Sequence, residues 1–215
     1  MVKLGLGDSY EKTIINEKIR AYVDITKPAS SIGVMLTIPF AAVFHAELNG
    51  LNGFQFLLNN GFTVSYASVT LFLIHGGSQS LNMAEDAHID NQSEHKSNRP
   101  IPAGVISKEE ARSLAWIFIM AGMLRAYTIN TQFGVLATVL ALFGVFYNLN
   151  PVRAKEHLWF NLGWQAASRG LILYPAAFAV WGEAFNPIAW VMGMTAFMLV
   201  LAMQNTADFS DVKMD

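Results

Sequence analysis

The 215-residue sequence contains no cysteine and few charged residues, which make up 14% of the chain. The absence of cysteine excludes disulfide bonds, thiolate metal ligands and a cysteine nucleophile. The first 27 residues are charged and have no apolar stretch, so a cleavable signal peptide is not predicted. Hydrophobic residues make up 53% of the chain, more than an ordinary soluble domain of this length contains. The composition therefore predicts a membrane protein.

The apolar residues are gathered in six segments, each near the roughly 20 residues that a helix needs to cross a bilayer core. The segments are about Pro28–Leu48, Phe62–Leu81, Ala111–Ile129, Gln132–Leu149, Leu158–Trp181 and Ile188–Thr206. They have almost no polar outer stripe, which the helices of a soluble bundle would need. We therefore predict an all-α, multi-pass transmembrane helix bundle with six spans, kinked at Pro39 and Pro175.

Lysine and arginine are absent from two of the connecting segments, residues 49–61 and 182–187. Twelve of the fourteen basic residues lie in the N-terminal segment 1–27, in the 82–112 and 150–157 connections, or after the last span. The positive-inside rule places these basic segments on the cytoplasmic face. The sequence therefore predicts a cytoplasmic N-terminal segment followed by a membrane domain over residues 28–215.

Two clusters of acidic residues lie on that same side, where apolar segments meet polar ones. In the first, Asn82, Asp86 and Asp90 are spaced i, i+4 and i+8; in the second, Asp208, Asp211 and Asp215 are spaced i, i+3 and i+7. On a helix either spacing puts three side chains on one face, where like charges repel. A shared cation removes that repulsion, and Mg²⁺ prefers hard oxygen ligands that it shares with phosphates. Two such faces could hold a diphosphate.

Basic and polar residues occur in the connections that follow the second and the fourth apolar segments. The 91–107 connection carries Lys96 and Arg99 in a turn that Pro100, Pro102 and Gly104 make rigid. A capping box of Ser107 and Glu110 is predicted to begin the third helix. Tyr147, Arg153 and Lys155 offer similar chemistry after the fourth segment. Cations beside an acidic metal site suit a polyanionic ligand, because they neutralise phosphate oxygens that the metal does not reach. His88 and His95 are expected to be exposed rather than metal ligands.

The fifth apolar segment contains Asn161, Gln165 and Arg169 at i, i+4 and i+8. An arginine inside an apolar segment normally faces the bundle interior or a wet cavity. The two amides have two interpretations that the sequence leaves open: they form hydrogen bonds between helices, or they line a substrate pocket. On the second helix, His75 and Gln79 form a polar stripe with the first acidic cluster.

Together these motifs resemble the UbiA superfamily of intramembrane prenyltransferases. The first cluster matches the signature Asn-x-x-x-Asp-x-x-x-Asp, and residues 98–104, Asn-Arg-Pro-Ile-Pro-Ala-Gly, are similar to the loop that follows it. The Lys27-Pro28 pair, the Tyr147…Pro151…Lys155 segment and the terminal Asp-x-x-Asp-x-x-x-Asp occur in the family's order. Met83 stands where many members have aspartate. The resemblance covers the chain from about Tyr22 onward.

The resemblance implies a prenyltransferase that moves a polyprenyl group from a prenyl diphosphate to a hydrophobic or aromatic acceptor within the bilayer. Mg²⁺ would be held by Asn82, Asp86, Asp90, Asp208, Asp211 and Asp215, and the five aspartates would be catalytic. Substrate would be bound by Asn82, Lys96, Arg99, Tyr147, Arg153, Lys155, Asn161, Gln165 and Arg169. The diphosphate would ionise to an allylic carbocation on the cytoplasmic side of a plasma or inner membrane. No nucleic-acid partner is expected.

Members of this family typically have nine spans, three of them after the second cluster, so the resemblance implies that these 215 residues are part of a longer bundle. Two other interpretations remain at this point. One is a soluble all-α prenyl synthase or terpene cyclase, which also uses aspartate-rich helices. The other is a divalent-cation transporter, in which carboxylates near the middle of the membrane would be expected.

Overall fold

The computed structural model describes the backbone of residues 5–93 and 95–211, and the side chains of residues 15–93 and 95–204. The described backbone is helical, with turns and loops between the helices. The helices are α1 (Gly5–Asp24), α2 (Pro28–Met35), α3 (Thr37–Leu48), α4 (Gly53–Asn59), α5 (Gly61–Asp90), α6 (Lys108–Ile129), α7 (Thr131–Asn148), α8 (Leu158–Ala166), α9 (Leu173–Ala179) and α10 (Pro187–Asp211). A 3₁₀ turn covers Ala154–Glu156, and a π-helical segment, Ala167–Ile172, joins α8 to α9.

The six predicted apolar segments are helical over nearly all of their length, which confirms the all-α bundle, but fewer than six of the described helices are long and apolar enough to count as spans. By length and composition, three helical stretches of the described chain can cross a membrane: Pro28–Leu48, Thr131–Asn148 and Pro187–Gln204. A fourth candidate joins α4 to α5 with a bend of 82°. α4 itself was not predicted, because residues 49–61 were interpreted as a loop; Asn52 caps it by accepting a hydrogen bond from the Gln55 amide.

Both intramembrane prolines lie next to irregular helix. The first span is interrupted at Leu36, between α2 and α3, three residues before Pro39. The π-helical segment ends three residues before Pro175. Proline has no N–H to donate to the preceding turn, so the helix there adopts another hydrogen-bonding pattern. The second irregularity matters most, because Ser168 and Arg169 lie on it.

The core is formed where α5 packs against α6 and α7, with α3 and α9 alongside. Small residues allow the helices to approach closely: a Cβ added at Gly77 would lie 2.8 Å from the Ala115 carbonyl oxygen on α6. Asn130 caps α7 by accepting a bond from the Phe133 amide, and its Nδ2 donates to the carbonyls of Ala179 and Val180. The α6–α7 hairpin is thereby fixed to the end of α9.

At the other end of the bundle, the connection between α5 and α6 is folded rather than extended. The amide of Val105 donates to the carbonyl of Pro100, and Gly104 has φ 74°, a conformation that favours glycine. The predicted capping box is confirmed, because the Ser107 hydroxyl accepts from the Glu110 amide and the Glu110 carboxylate from the Ser107 amide. Ile106 is buried against α1 and α5, which holds the connection beside the first acidic motif.

Candidate active site

A cavity of about 220 Å³ lies between α2, α5, α7 and the α8–π segment. Its wall combines apolar side chains with a set of polar ones. The polar residues that line it are Lys27, His75, Ser78, Gln79, Asn82, Tyr147, Trp164, Gln165, Ser168 and Arg169. Four predicted site residues are therefore brought together here, namely Asn82, Tyr147, Gln165 and Arg169, although they come from three separate helical segments.

The first acidic motif lies on the last two turns of α5, where it follows the cavity wall. α5 has 30 residues, or about 45 Å of helix, so it is longer than a bilayer core of about 30 Å. Asp86 accepts a hydrogen bond from the Lys155 ammonium at 2.5 Å. Asp90 accepts one from the Arg99 guanidinium at 2.6 Å, and its side chain is only 4% exposed. Both carboxylates thus have the cationic neighbours that the sequence predicted.

Lys27 lines the cavity but was not predicted as a site residue, although the Lys27-Pro28 pair contributed to the resemblance. It precedes Pro28, the first residue of α2, with φ 46° in the left-handed region. A lysine rarely adopts that conformation, and such strain is concentrated at functional sites. Burial, together with the charges of Arg99 and Arg169, lowers the Lys27 pKa, while Asp86 and Asp90 oppose that shift. Lys27 therefore lies within electrostatic range of the acidic motif.

Hydrogen bonds join the polar residues of the wall. Gln165 Nε2 donates to the Tyr147 hydroxyl at 3.1 Å and to Asn161 Oδ1 at 2.7 Å. Gln165 fits both interpretations of the fifth segment, because it forms a hydrogen bond between two helices and also lines the cavity. Asn161 does not line the cavity; it accepts a hydrogen bond from Gln165. Trp164 is fixed by a bond from its indole N–H to the Phe143 carbonyl.

His75 belongs to a second set of hydrogen bonds, which the sequence showed only as a stripe on α5. The Ser31 hydroxyl donates to the Thr26 carbonyl at 2.7 Å and is 3.0 Å from His75 Nδ1. Since the Ser31 proton is used on Thr26, Ser31 accepts from Nδ1–H. His75 Nε2 then accepts from Gln79 Nε2 at 3.3 Å. This pattern requires the neutral imidazole with its proton on Nδ1.

Among the described residues, two predicted basic residues neither line the cavity nor pair with an aspartate of the first motif. Lys96 is exposed on the connection after α5. Arg153 is paired with Glu156, with Nε 2.7 Å from Oε1, rather than with either aspartate of the first motif. The predicted exposure of His88 and His95 is confirmed. In the second acidic cluster, Asp208 and Asp211 lie on α10, but their side chains and all of Asp215 are outside the described residues.

Glu85, next to Asp86, faces the other way and forms part of the α5–α6 interface. The Arg112 guanidinium donates to it twice, at 2.9 and 2.6 Å, and the Lys108 ammonium is 3.5 Å away. Burial alone would raise the Glu85 pKa, but the Arg112 hydrogen bonds and the Lys108 charge together lower it. The basic residues at the start of α6 therefore bind a structural carboxylate, in addition to any role in membrane orientation.

The donor set of the first motif fits Mg²⁺. Side chains 15–93 and 95–204 contain no group of three or more His, Cys, Asp or Glu residues able to hold a metal. Mg²⁺ rarely occupies an all-protein cage; one or two carboxylates together with water and substrate phosphates are its usual ligands. Asp86 and Asp90, one turn apart, with the Asn82 amide a turn before, supply such a set, and they are buried enough to favour a bound cation.

The chain belongs to the UbiA prenyltransferase family, whose model matches residues 36–215. It is 26% identical over 133 residues to a protoheme IX farnesyltransferase from Archaeoglobus fulgidus, covering 62% of this chain and 42% of that protein. It is 26% identical over 188 residues to a digeranylgeranylglyceryl phosphate synthase from Ignicoccus hospitalis, covering 86% and 57%. The family is membrane-embedded, so a soluble synthase or cyclase is excluded.

The fold agrees with that of a solved family member. A UbiA homolog from Archaeoglobus fulgidus bound to GPP and Mg²⁺ superimposes with a TM-score of 0.69 at 19% identity, covering 90% of this chain and 64% of that one. A structure of a UbiA homolog from Archaeoglobus fulgidus bound to DMAPP and Mg²⁺ gives a TM-score of 0.65 at 17% identity, covering 85% of this chain and 60% of that one. The chain therefore spans about half the length of the two curated relatives and somewhat under two thirds of the solved homolog.

Proposed function

We propose that this protein transfers a prenyl group from a prenyl diphosphate to an acceptor held in the cavity, with Mg²⁺ bound at the first acidic motif. The observation that carries the proposal is the pairing of Asp86 with Lys155 and of Asp90 with Arg99, one and two turns beyond Asn82 in the cavity wall. A carboxylate pair with adjacent cations can bind a metal and the diphosphate together. The solved homolog was bound to GPP and Mg²⁺, which supports the same donor class here.

The chain's own residues would bind and orient the diphosphate. Asn82, Asp86 and Asp90 would hold Mg²⁺, with Asp208, Asp211 and Asp215 proposed as a second set. Mg²⁺ supplies positive charge to the departing diphosphate. Lys155 and Arg99 donate hydrogen bonds to its oxygens, and Lys27 adds a third cation. Such donors stabilise the charge that builds up as the allylic carbon–oxygen bond breaks, which is usually the largest contribution to catalysis.

The cavity wall would protect the allylic carbocation from water. Leu71, Ile74, Leu140, Phe143 and Leu173 form its apolar part. Water excluded from such a site cannot capture the cation before the acceptor does. The Tyr147 ring, held from its hydroxyl by Gln165, is suited to face the developing positive charge.

The acidic motif would lie on the cytoplasmic side of a plasma or inner membrane. The support is the distribution of lysine and arginine, twelve of which lie on the side of the motif. A cation transporter is the weaker interpretation, because the described carboxylates lie at the end of α5 and not halfway along it. Labelling of single cysteines introduced at Ser93 and at Asn49 in sealed cells would test the orientation.

Calorimetry with a prenyl thiodiphosphate, which does not react, would test the proposed function. The detergent-purified protein should bind it with Mg²⁺ and should lose that binding in EDTA. Transfer of a radiolabelled prenyl group into a membrane extract would then test turnover. Binding that is equally strong in EDTA would contradict the proposed metal site.

Lys155 and Arg153 offer a matched pair of variants in the same loop. Lys155→Met removes the cation on Asp86 and should weaken thiodiphosphate binding about tenfold or more, since a charge-assisted hydrogen bond contributes roughly 1.5–3 kcal/mol. Arg153→Met removes a cation that is paired with Glu156 and should change the affinity much less. Equal losses in both variants would show that net charge matters, rather than the position of Lys155.

A further inference from the structure

We infer that Asn148 is a positioning residue, which fixes the ammonium group of Lys155 where the donor's diphosphate binds. The inference rests on the proposed function and adds a residue that acts on the donor through Lys155. Three observations support it: the complete burial of Asn148, the orientation of its amide, and its contact with the Lys155 ammonium.

Asn148 is the last residue of α7, and it is fully buried. Its Nδ2 donates to the carbonyl of Gly144, one turn earlier on α7, at 2.9 Å, and to the carbonyl of Ser78 on α5 at 3.4 Å. The two helices approach closely here, since a Cβ added at Gly144 would lie 2.5 Å from Ser78 Oγ. Asn148 is therefore held by two helices of the bundle and not by the connection that follows it.

The two carbonyls determine which way the amide faces. A carbonyl oxygen accepts hydrogen bonds and cannot donate one, so the NH₂ group of Asn148 has to lie toward Gly144 and Ser78. Oδ1 then faces the 150–157 connection, where it accepts from the Lys155 ammonium at 3.3 Å. A reversed amide would lose both carbonyl contacts and would place its NH₂ group beside a cation. The packing of α7 against α5 thus presents an acceptor to Lys155.

Lys155 benefits from a fixed partner because it lies outside the long helices and has a flexible stem. It belongs to the 3₁₀ turn Ala154–Glu156, and a lysine carries its charge at the end of a four-carbon chain. Its ammonium also donates to Asp86, but in the proposed function Mg²⁺ competes for that carboxylate. Asn148 is not one of the proposed metal ligands. Its contact with Lys155 therefore does not depend on whether Mg²⁺ is bound.

The neutrality of Asn148 also matters. A carboxylate in its place would neutralise Lys155, as Glu156 does for Arg153 in the same connection, with Nε 2.7 Å from Oε1. An ammonium has three N–H donors, and among the described side chains Asp86 and Asn148 accept two of them. The third donor can then bind a diphosphate oxygen. Asn148 therefore orients the cation without removing its charge.

A double-mutant cycle would test this inference by calorimetry, with Mg²⁺ and prenyl thiodiphosphate, on the detergent-purified protein. Asn148→Ala should weaken binding about three- to tenfold when Lys155 is present, the range that one hydrogen bond gives. In the Lys155→Met background the same change should alter the affinity less than about twofold, because the residue through which Asn148 acts is gone. A purely structural role would give the same fold-loss in both backgrounds.

Ala137→Gly is the control for lost stability. Ala137 is fully buried on the same helix, about three turns before Asn148, and it does not line the cavity. Glycine lowers helix propensity, so this variant should melt at a lower temperature and bind the thiodiphosphate with unchanged affinity.

Asn148→Ser is a second variant that serves if the alanine protein does not fold. A serine hydroxyl can donate to the Gly144 carbonyl, as Thr138 donates to the Gly134 carbonyl on the same helix at 2.8 Å. The shorter side chain does not reach Lys155. Asn148→Ser should therefore lose affinity as the alanine variant does, and again only when Lys155 is present.

The inference is overturned if neither Asn148 variant weakens binding, or if the loss is the same with and without Lys155. It is also overturned if Ala137→Gly loses as much affinity as the Asn148 variants, or if neither Asn148 variant folds, because Asn148 would then be structural. Failure of the unmutated protein to bind the thiodiphosphate would contradict the proposed function as well. Normal binding with additive losses would contradict the role of Asn148 alone, so the two failures are distinguishable.

Discussion

Glu85 and Asp86 are adjacent carboxylates for which we predict opposite consequences of neutralisation. Glu85 is held by Arg112 and Lys108 in the α5–α6 interface, whereas Asp86 is paired with Lys155 at the edge of the cavity. Glu85→Gln should therefore lower stability and preserve donor binding. Asp86→Asn should preserve stability and abolish donor binding. Each variant is the control for the other, since both remove one negative charge from the same helical turn.

The cost of Glu85→Gln follows from its two hydrogen bonds with Arg112. Bonds to charged groups contribute roughly 1.5–3 kcal/mol each, but the Arg112 side chain is 42% exposed, so solvent screening reduces the sum to about 1–3 kcal/mol. Because the pKa of Glu85 is lowered in the folded state, this contribution is present above the unfolded value of 4.5. This stabilising contribution should be lost as the pH falls through the pKa that Glu85 has in the folded protein.

The cost of Asp86→Asn should appear in binding. The new amide oxygen can still accept from Lys155, whose ammonium is also 3.3 Å from Asn148 Oδ1, so little stability is lost. Removal of a charged ligand from a partly buried site costs roughly 2–5 kcal/mol of binding free energy, or at least about thirtyfold in Kd. Glu85→Gln should change the Kd less than threefold.

Thermal unfolding in detergent and calorimetry with prenyl thiodiphosphate and Mg²⁺ would measure both quantities on the same preparations. The reasoning is refuted if Asp86→Asn binds the ligand normally, because the first motif would then not hold the metal. It is also refuted if Glu85→Gln loses binding at unchanged thermal stability, because the two faces of α5 would then not be functionally distinct.

Two further predictions concern the fold. Hydrogen bonds from the Ser107 amide and hydroxyl lower the Glu110 pKa to about 2, so the capping box should stabilise α6 above pH 4.5 and weaken as the pH falls toward 2. Glu110→Gln removes the titrating carboxylate and should reduce the fall in melting temperature between those pH values; an unchanged profile would argue against the cap. Gly77→Ala should destabilise the bundle by about 1–3 kcal/mol because its Cβ meets backbone of α6, whereas Gly33→Ala, with open space, should not.

Much of the candidate site was predictable because its residues follow helical spacing. Asn82, Asp86 and Asp90 lie on one face of α5 because they are four residues apart, and no tertiary information is needed for that. Ser107 and Glu110 form a capping box from local sequence alone. Lys27 and His75 line the cavity but were not predicted as site residues, because a lysine before a proline and a histidine in an apolar helix are equally compatible with structural positions. The available signals were the Lys27-Pro28 pair and the polar stripe that His75 and Gln79 form with the first acidic cluster.

The sequence by itself determined the all-α membrane fold, the helix boundaries near 28, 48, 108 and 129, and the composition of the first acidic motif, because these depend on hydropathy and local periodicity. Only the tertiary structure decided which charges meet. Lys155 reaches Asp86 across 69 residues of chain, and Arg112 reaches Glu85 across 27. Such partners are set by how helices pack in three dimensions, which residue spacing along one helix does not encode.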